Sequence, residues 1–238
     1  MRTHIITRLA HRLAQLYSKV LPINCRLCGI CSDDQPLCKD CASELPQIGP
    51  ACPRCALPTP HYQLCGQCLS QPPEQHSSIS IYQYKDPVDR LIVDLKFNDK
   101  LYLTQFFAER MAEVIKDKPL PELLIPIPLH PNKLKQRGYN QSYELAKALS
   151  ELLLIPCSNN FLERVIDTKP QSSMPYKERK KNIQHAFQST ASSTFKHIAL
   201  IDDVLTTGHT ANAAAKTLRL AGVSRIEVWT IARTIRHD

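Results

Sequence analysis

The sequence predicts an α/β protein in which a parallel sheet flanked by helices follows a small, metal-stapled N-terminal module. Three observations predict it. Eight cysteines before residue 69 form four Cys-x-x-Cys pairs. After residue 76, short runs of Ile, Leu and Val alternate with helical patterns, the mark of parallel strands joined by crossovers. One of those runs continues through two aspartates into a threonine–glycine loop and an alanine-rich helix.

The chain of 238 residues holds one α/β domain of roughly 150 residues and a smaller appendage. The expected organisation is an amphipathic helix over 1–21, a cysteine module over 22–72 and the α/β domain over 77–238. With 43% hydrophobic and 22% charged residues, the composition excludes a disordered or membrane-embedded protein. A formal net charge of +8 favours an anionic partner, whether a phosphorylated metabolite, nucleic acid or an acidic membrane surface.

In the first segment Ile6, Leu9, Leu13, Leu16 and Val20 recur at three- and four-residue spacing, with Arg2, Arg8, Arg12 and Lys19 interspersed. Such a basic amphipathic helix docks on its own protein or, alternatively, on an anionic membrane. No stretch approaches the roughly 20 apolar residues needed to cross a bilayer, and the pattern of a signal peptide is missing. The expected location is cytoplasmic, peripheral at the inner face of the membrane if the helix attaches there.

The pairs Cys25/Cys28, Cys38/Cys41, Cys52/Cys55 and Cys65/Cys68 come next. Each Cys-x-x-Cys turn aims two thiolates at one centre, and two turns supply the closed tetrahedral sulfur set of a structural zinc site. Two zinc ions are expected, the first two pairs sharing one and the last two the other, although a crossed pairing uses the same residues. Gly29 and Gly66 follow Cys28 and Cys65, where a knuckle needs a backbone free to turn. Thiolates also suit an iron–sulfur cluster; a disulfide framework is the alternative for an exported protein. Cys31 makes an overlapping Cys-x-x-Cys with Cys28 and is left out of the ligand set, although it could replace Cys25 or Cys28; Cys157 reads as a small buried hydrophobe.

The most informative run is KHIALIDDVLTTGHTANAAAKTLRLA from Lys196. Ile198 to Ile201 suits a strand buried on both faces, with Asp202 and Asp203 at its C-terminal end. Thr206, Thr207, Gly208, His209 and Thr210 then lead into a helix that stops before Gly222. Ligands of open α/β sheets bind beyond the carboxyl ends of strands, and a loop entering a helix offers unpaired amides to a phosphate. Two adjacent carboxylates suit a vicinal diol, or a Mg²⁺ ion bound with it. A simple strand end followed by a threonine-rich helix cap is the bland alternative.

Farther upstream, Leu123 to Pro128 reads as a strand and Pro131 onward as a polar loop, with a helix beginning near Gln141. Lys133, Lys135 and Arg137 in that loop would neutralise an anion or remain solvated. Residues 168–185 carry Lys169, Tyr176, Lys177, Arg179, Lys180 and Lys181. This stretch reads as a hood over a ligand, as a grip on single-stranded DNA with Tyr176 stacking on bases, or as a solvated basic loop.

The run from Lys196 resembles the phosphoribosyl-pyrophosphate signature of type I phosphoribosyltransferases. By that resemblance Asp202 and Asp203 hold the ribose hydroxyls, and Thr206, Thr207, Gly208, His209 and Thr210 hold the 5′-phosphate. Lys133, Lys135 and Arg137 lie on the pyrophosphate side, with Mg²⁺ accompanying phosphoribosyl pyrophosphate.

Nearly the whole chain resembles the ComF family, also called the GntX-like group, through its cysteine module and three further segments. These are YKDPVDRLIVDLKFNDK from Tyr84, LIPIPLHPNKLKQRGYNQSYELAKAL from Leu124 and LERVIDTKPQSSMPYKERKKNIQHAF from Leu162. Lys96, Gly138, Asn140, Gln141, Gln171, Arg179 and Asn182 fall on characteristic positions. The resemblance implies a part in natural competence or DNA utilisation, with phosphoribosyl pyrophosphate and single-stranded DNA as ligands. Two alternatives are an active phosphoribosyltransferase of unknown acceptor and a non-catalytic adaptor that joins membrane DNA-uptake proteins.

Overall fold

The computed structural model describes residues 23–32, 35–98, 100–167, 186–190 and 194–235. The expected helix over 1–21 and the basic stretch with Lys169, Tyr176, Lys177, Arg179, Lys180 and Lys181 lie outside the described residues. Two compact units divide after Leu45, so each unit contains one cysteine quartet.

In the first unit, β1 (Ile23–Asn24) pairs antiparallel with β2 (Cys31–Ser32), and Cys38 caps the short helix α1 (Lys39–Ser43). The turn between the strands is closed by the Cys25 amide donating to the Ile30 carbonyl at 2.7 Å and the Gly29 amide donating to Cys25 at 2.9 Å.

The second unit repeats this knuckle. The Cys52 amide donates to Leu57 at 2.7 Å and the Ala56 amide to Cys52 at 2.9 Å, while Cys65 stands at the N-cap of α2 (Gly66–Ser70). The repeat corrects the sequence reading of Gly66. The counterpart of Gly29 (φ 75°) is Ala56 (φ 56°), which takes the left-handed conformation despite its Cβ, whereas Gly66 opens a helix at negative φ.

The rest of the second unit is a four-stranded parallel sheet with helices on both faces, the α/β class expected. Its strands are β3 (Ser77–Gln83), β4 (Leu123–Pro126), β7 (His197–Leu205) and β8 (Arg225–Arg233), in the order β3-β8-β7-β4. Residues 46–48 lie antiparallel along β3, and the chain at Cys157 runs parallel beside Leu124. Both outer edges are therefore partly covered.

Helices α3 (Val88–Phe97) and α4 (Tyr102–Ile115) follow β3; α5 (Pro131–Arg137) and α6 (Gln141–Leu153) follow β4. A two-stranded antiparallel pair, β5 (Leu162–Arg164) and β6 (Phe187–Ser189), precedes β7, and α7 (His209–Leu220) joins β7 to β8.

Alternation along the strands divides the core. Ile198, Leu200, Ile226 and Val228 pack with Ala211, Ala213, Ala214, Ala215 and Leu218 of α7 and with Phe187 of β6. The small alanines let α7 lie close to the sheet. On the other face α6 packs against β4 and β7, and α4 packs against α6 and β3. Central strands sealed on both sides need continuous apolar runs rather than alternation, and eight of the nine residues of β8 are buried.

Three sequence expectations need correction. β4 ends at Pro126 instead of Pro128. The polar loop after Pro131 is a helix: proline opens it at a position where its missing amide costs nothing, and the His130 ring nitrogen accepts from the Asn132 amide at 3.3 Å. β7 runs on to Leu205, so Asp202 and Asp203 lie inside the strand, because β8 continues opposite them and keeps their backbone paired.

Candidate functional site

The acid pair of β7 is held by the beginning of α6. Asn140 caps that helix, its side chain accepting from the Ser142 amide at 3.0 Å and donating to the Ile127 carbonyl at 3.0 Å. This fixes the helix start above the ends of β4 and β7.

The first two side chains of α6 then take one carboxylate each. Gln141 Nε2 donates to Asp203 Oδ2 at 2.7 Å, and Ser142 Oγ donates to Asp202 Oδ1 at 2.9 Å. From α3, Lys96 Nζ reaches Asp203 Oδ1 at 2.9 Å. Loss of hydration, and then the charge of Asp203, push the Asp202 carboxyl from 3.8 up to about 7. Lys96, Ser142 and the Asp203 amide pull the other way. A carboxylate so raised is readied for a positive or hydrogen-donating guest.

A second set of contacts extends the site outward. Gln141 Oε1 accepts from Arg137 Nη1 at 2.6 Å, and the Arg137 guanidinium stacks on Phe97, 4.6 Å from the ring centre. Phe97 is 64% exposed, which leaves the stacked pair open to solvent at the rim.

Arg164 of β5 lies over the Phe187 ring, and the Asp202 and Asp167 charges support its own against burial, which lowers its pKa. Burial also lowers the Lys133 pKa, with Arg164 and Arg137 adding to the effect and Asp167 opposing it. Lys133, Arg137 and Arg164 thus form a cationic group beside the acid pair. Lys135 is exposed, as its two-residue offset from Lys133 and Arg137 on α5 requires.

Past Leu205 the chain turns through Thr206 and Thr207 into Gly208, the left-handed N-cap of α7 (φ 78°), where no side chain caps the helix. His209 and Thr210 form its first turn. The first-turn amides of a helix lack intrahelical partners, and its dipole favours an anion there. The Thr207 hydroxyl is buried with no partner among the described residues. A buried orphan hydroxyl is costly and uncommon; a phosphate oxygen at this loop would satisfy it. Paired carboxylates next to such a loop accept from adjacent hydroxyls or share a divalent cation, so the residues fit a Mg²⁺–phosphoribosyl ligand in kind.

Sequence reasoning named the acid pair and loop but did not place Ser142 and Arg164 among the site residues. Ser142 had a usable signal, standing two residues after an Asn N-cap at a strand-to-helix turn.

The two cysteine quartets are separate centres. The sulfurs of Cys25, Cys28, Cys38 and Cys41 lie within 4.8 Å of one another, as do those of Cys52, Cys55, Cys65 and Cys68. Neighbouring pairs thus share a centre, as expected. Zinc with sulfurs at about 2.3 Å has tetrahedral edges of about 3.8 Å, against 3.7 Å for Cys28–Cys38 and 3.5 Å for Cys55–Cys65. Burial raises the Cys52 thiol pKa, but the amides of Cys65, Cys55 and Arg54 outweigh it and bring the thiol down to about 7. Amides aimed at sulfur and closed four-sulfur sets fit structural zinc. Cys31 lies in β2. Cys157 is half-buried rather than buried as expected, and this partial burial raises its thiol to about 11.

Residues 16–69 match the double zinc ribbon domain family. Competence protein F of Haemophilus influenzae is 35% identical over 83% of this chain and 90% of its own. This chain belongs to the competence protein F family. Other relatives are DNA utilization protein YhgH of Salmonella typhi, 31% identical over 84% of this chain and 91% of its own, and competence protein ComFC of Streptococcus pneumoniae, 29% identical over 85% and 90%.

Two solved structures give low-scoring likenesses. The Bacillus subtilis glutamine phosphoribosylpyrophosphate amidotransferase complexed with ADP and GMP is 12% identical over 58% of this chain and 30% of that one, with a TM-score of 0.39. Purine phosphoribosyltransferase of Pyrococcus horikoshii is 18% identical over 66% and 88%, with a TM-score of 0.29. Both likenesses are distant. Among the described residues no helix is long and apolar enough to cross a membrane.

Proposed function

We propose that this protein binds phosphoribosyl pyrophosphate with Mg²⁺ at Asp202, Asp203 and the Thr206–Thr210 loop, and binds single-stranded DNA beside that site during DNA uptake or utilisation. One observation carries the first half: a partnered acid pair on a central strand leads into an uncapped helix N-terminus where the Thr207 hydroxyl has no partner among the described residues. The cationic group of Lys133, Arg137 and Arg164 supplies the charge that a pyrophosphate needs.

Calorimetric titration of Mg²⁺–phosphoribosyl pyrophosphate into the zinc-loaded protein tests this half. Wild type should bind, and the double variant Asp202→Asn, Asp203→Asn should not. A wild type without binding heat, confirmed by a competition assay, would remove the ligand reading. Pyrophosphate release, measured with and without DNA, then separates a transferase from a ligand-gated binder.

Support for the DNA half is the kinship with competence and DNA utilization proteins, the net charge of +8 and the exposed Phe97 ring against Arg137. An open aromatic face next to cations suits base stacking and backbone contact. Phe97→Ala should weaken oligo(dT) binding about 10-fold while leaving phosphoribosyl pyrophosphate affinity in place. Wild-type DNA affinity should fall steeply with salt. Equal DNA affinity in wild type and variant would exclude Phe97 as the platform.

A further inference from the structure

Arg233, at the end of β8, is 6% exposed and joins the second knuckle to the start of the Thr206–Thr210 loop. Its Nε donates to the Cys55 carbonyl of the second knuckle at 2.8 Å. Its Nη1 donates to the Leu205 carbonyl at 2.8 Å, to the Thr206 carbonyl and to the Thr234 carbonyl at 2.9 Å. One guanidinium therefore fixes both the zinc knuckle and the two residues that open the phosphate-binding loop.

The charge balance points the same way. Among the described residues no carboxylate pairs with Arg233, whose guanidinium lies on the backbone of the second quartet. A buried guanidinium without a counter-charge is unfavourable. A divalent ion held by four thiolates retains a net charge of about −2, so the loaded second centre provides that counter-charge.

Two further ties join the same parts. Ala56, next to Cys55 and 2% exposed, packs into the cluster that contains Leu205 and Ala211. The Glu74 amide, just past the last knuckle, donates to Asn212 Oδ1 of α7 at 2.7 Å.

We propose that the second zinc centre is a structural part of the phosphate-binding site, with Arg233 as the positioning residue that couples metal in Cys52, Cys55, Cys65 and Cys68 to ligand at the Thr206–Thr210 loop. This rests on the ligand reading above. Coupling between two sites is reciprocal, so ligand must strengthen zinc retention by the factor that zinc strengthens ligand binding.

The test follows zinc release from the full, zinc-loaded chain to a chromophoric chelator, with and without saturating Mg²⁺–phosphoribosyl pyrophosphate, alongside calorimetry. Two release phases are expected, the phase of the first centre being identified by its absence in Cys38→Ser. Ligand should slow only the second phase, by about tenfold. In Arg233→Met that slowing should vanish and ligand affinity should drop by a similar factor, with Arg233→Lys partly restoring both. If Arg233→Met does not fold, the wild-type pair of measurements decides alone. Ligand binding with both phases unchanged overturns the coupling but leaves the site reading intact; no ligand binding in the wild type overturns both.

Discussion

Asparagine at position 202 should cost at least about 100-fold in affinity for Mg²⁺–phosphoribosyl pyrophosphate and yet raise the melting temperature of the free protein. The substitution keeps Oδ1, which accepts from Ser142 Oγ and from the Asp203 amide, both at 2.9 Å. What it removes is a charge beside Asp203 in a poorly hydrated place.

The sign follows from the shift. The Asp202 carboxyl titrates near 7 in the folded protein, against 3.8 ordinarily, so between those values the folded state binds a proton that the unfolded state has lost. The Asp202 contribution to stability therefore falls as pH rises from about 4 to about 7 and stays at the lower level above that. Asp202→Asn removes this slope and should add on the order of 1–2 kcal/mol at pH 8. Ligand affinity in the wild type runs the other way, rising with pH through about 7 as the carboxyl ionises. Thermal melts and titrations at pH 6 and 8 check both trends. A variant that melts lower at pH 8 would exclude charge repulsion as the dominant feature of the pair, and one that keeps its affinity would take Asp202 out of the site.

Removal of metal from the second centre should unfold far more than the knuckle. A structural zinc supplies roughly 10–16 kcal/mol in small peptides, comparable with the whole stability of a typical domain, about 5–15 kcal/mol. The second knuckle is bonded to the sheet. The Ser78 amide donates to Pro53 at 2.8 Å, the Ser78 hydroxyl to Arg54 at 2.7 Å, and Arg233 to Cys55.

Cys68→Ser should therefore lose one zinc, broaden the melt of the second unit and raise hydrogen exchange along β3 and at Leu205. Cys38→Ser, in the other compact unit, should lose one zinc and leave exchange in the sheet unchanged. Metal content by emission spectroscopy and exchange by mass spectrometry provide the comparison. A Cys68→Ser protein with one zinc and native protection of β3 would show that the knuckle is an ornament on the sheet.

The features most legible in the sequence were those whose chemistry is local. A Cys-x-x-Cys turn brings its own two sulfurs together, so spacing identified the four pairs, while the structure decides between neighbouring and crossed sharing. The run from Ile198 to the helix before Gly222 carried its strand, acid pair and helix start in consecutive residues, and the structure has each of them in that order.

What spacing could not supply was the partner on another element. Arg164 is one arginine in a three-residue strand, yet the Asp202 charge acts on it; Arg233 ends an apolar strand, yet it grips two loops. Propensity also misled. The charged residues of α5 read as a polar loop, whereas the proline start and the capping His130 open a helix there. The end of β7 was set too early because the apolar run stops at Ile201, whereas strand length is decided by the neighbour, and β8 extends to Arg233.

The order of strands has a consequence for how the chain must be made. β3 and β7 are not hydrogen-bonded to each other; each pairs with β8, whose residues 225–233 are the last strand among the described residues. A ribosome delivers β3 early, and it waits about 150 residues for the strand that pairs with it. Premature termination anywhere before Arg225 accordingly deletes the keystone of the sheet and strands its two flanks apart.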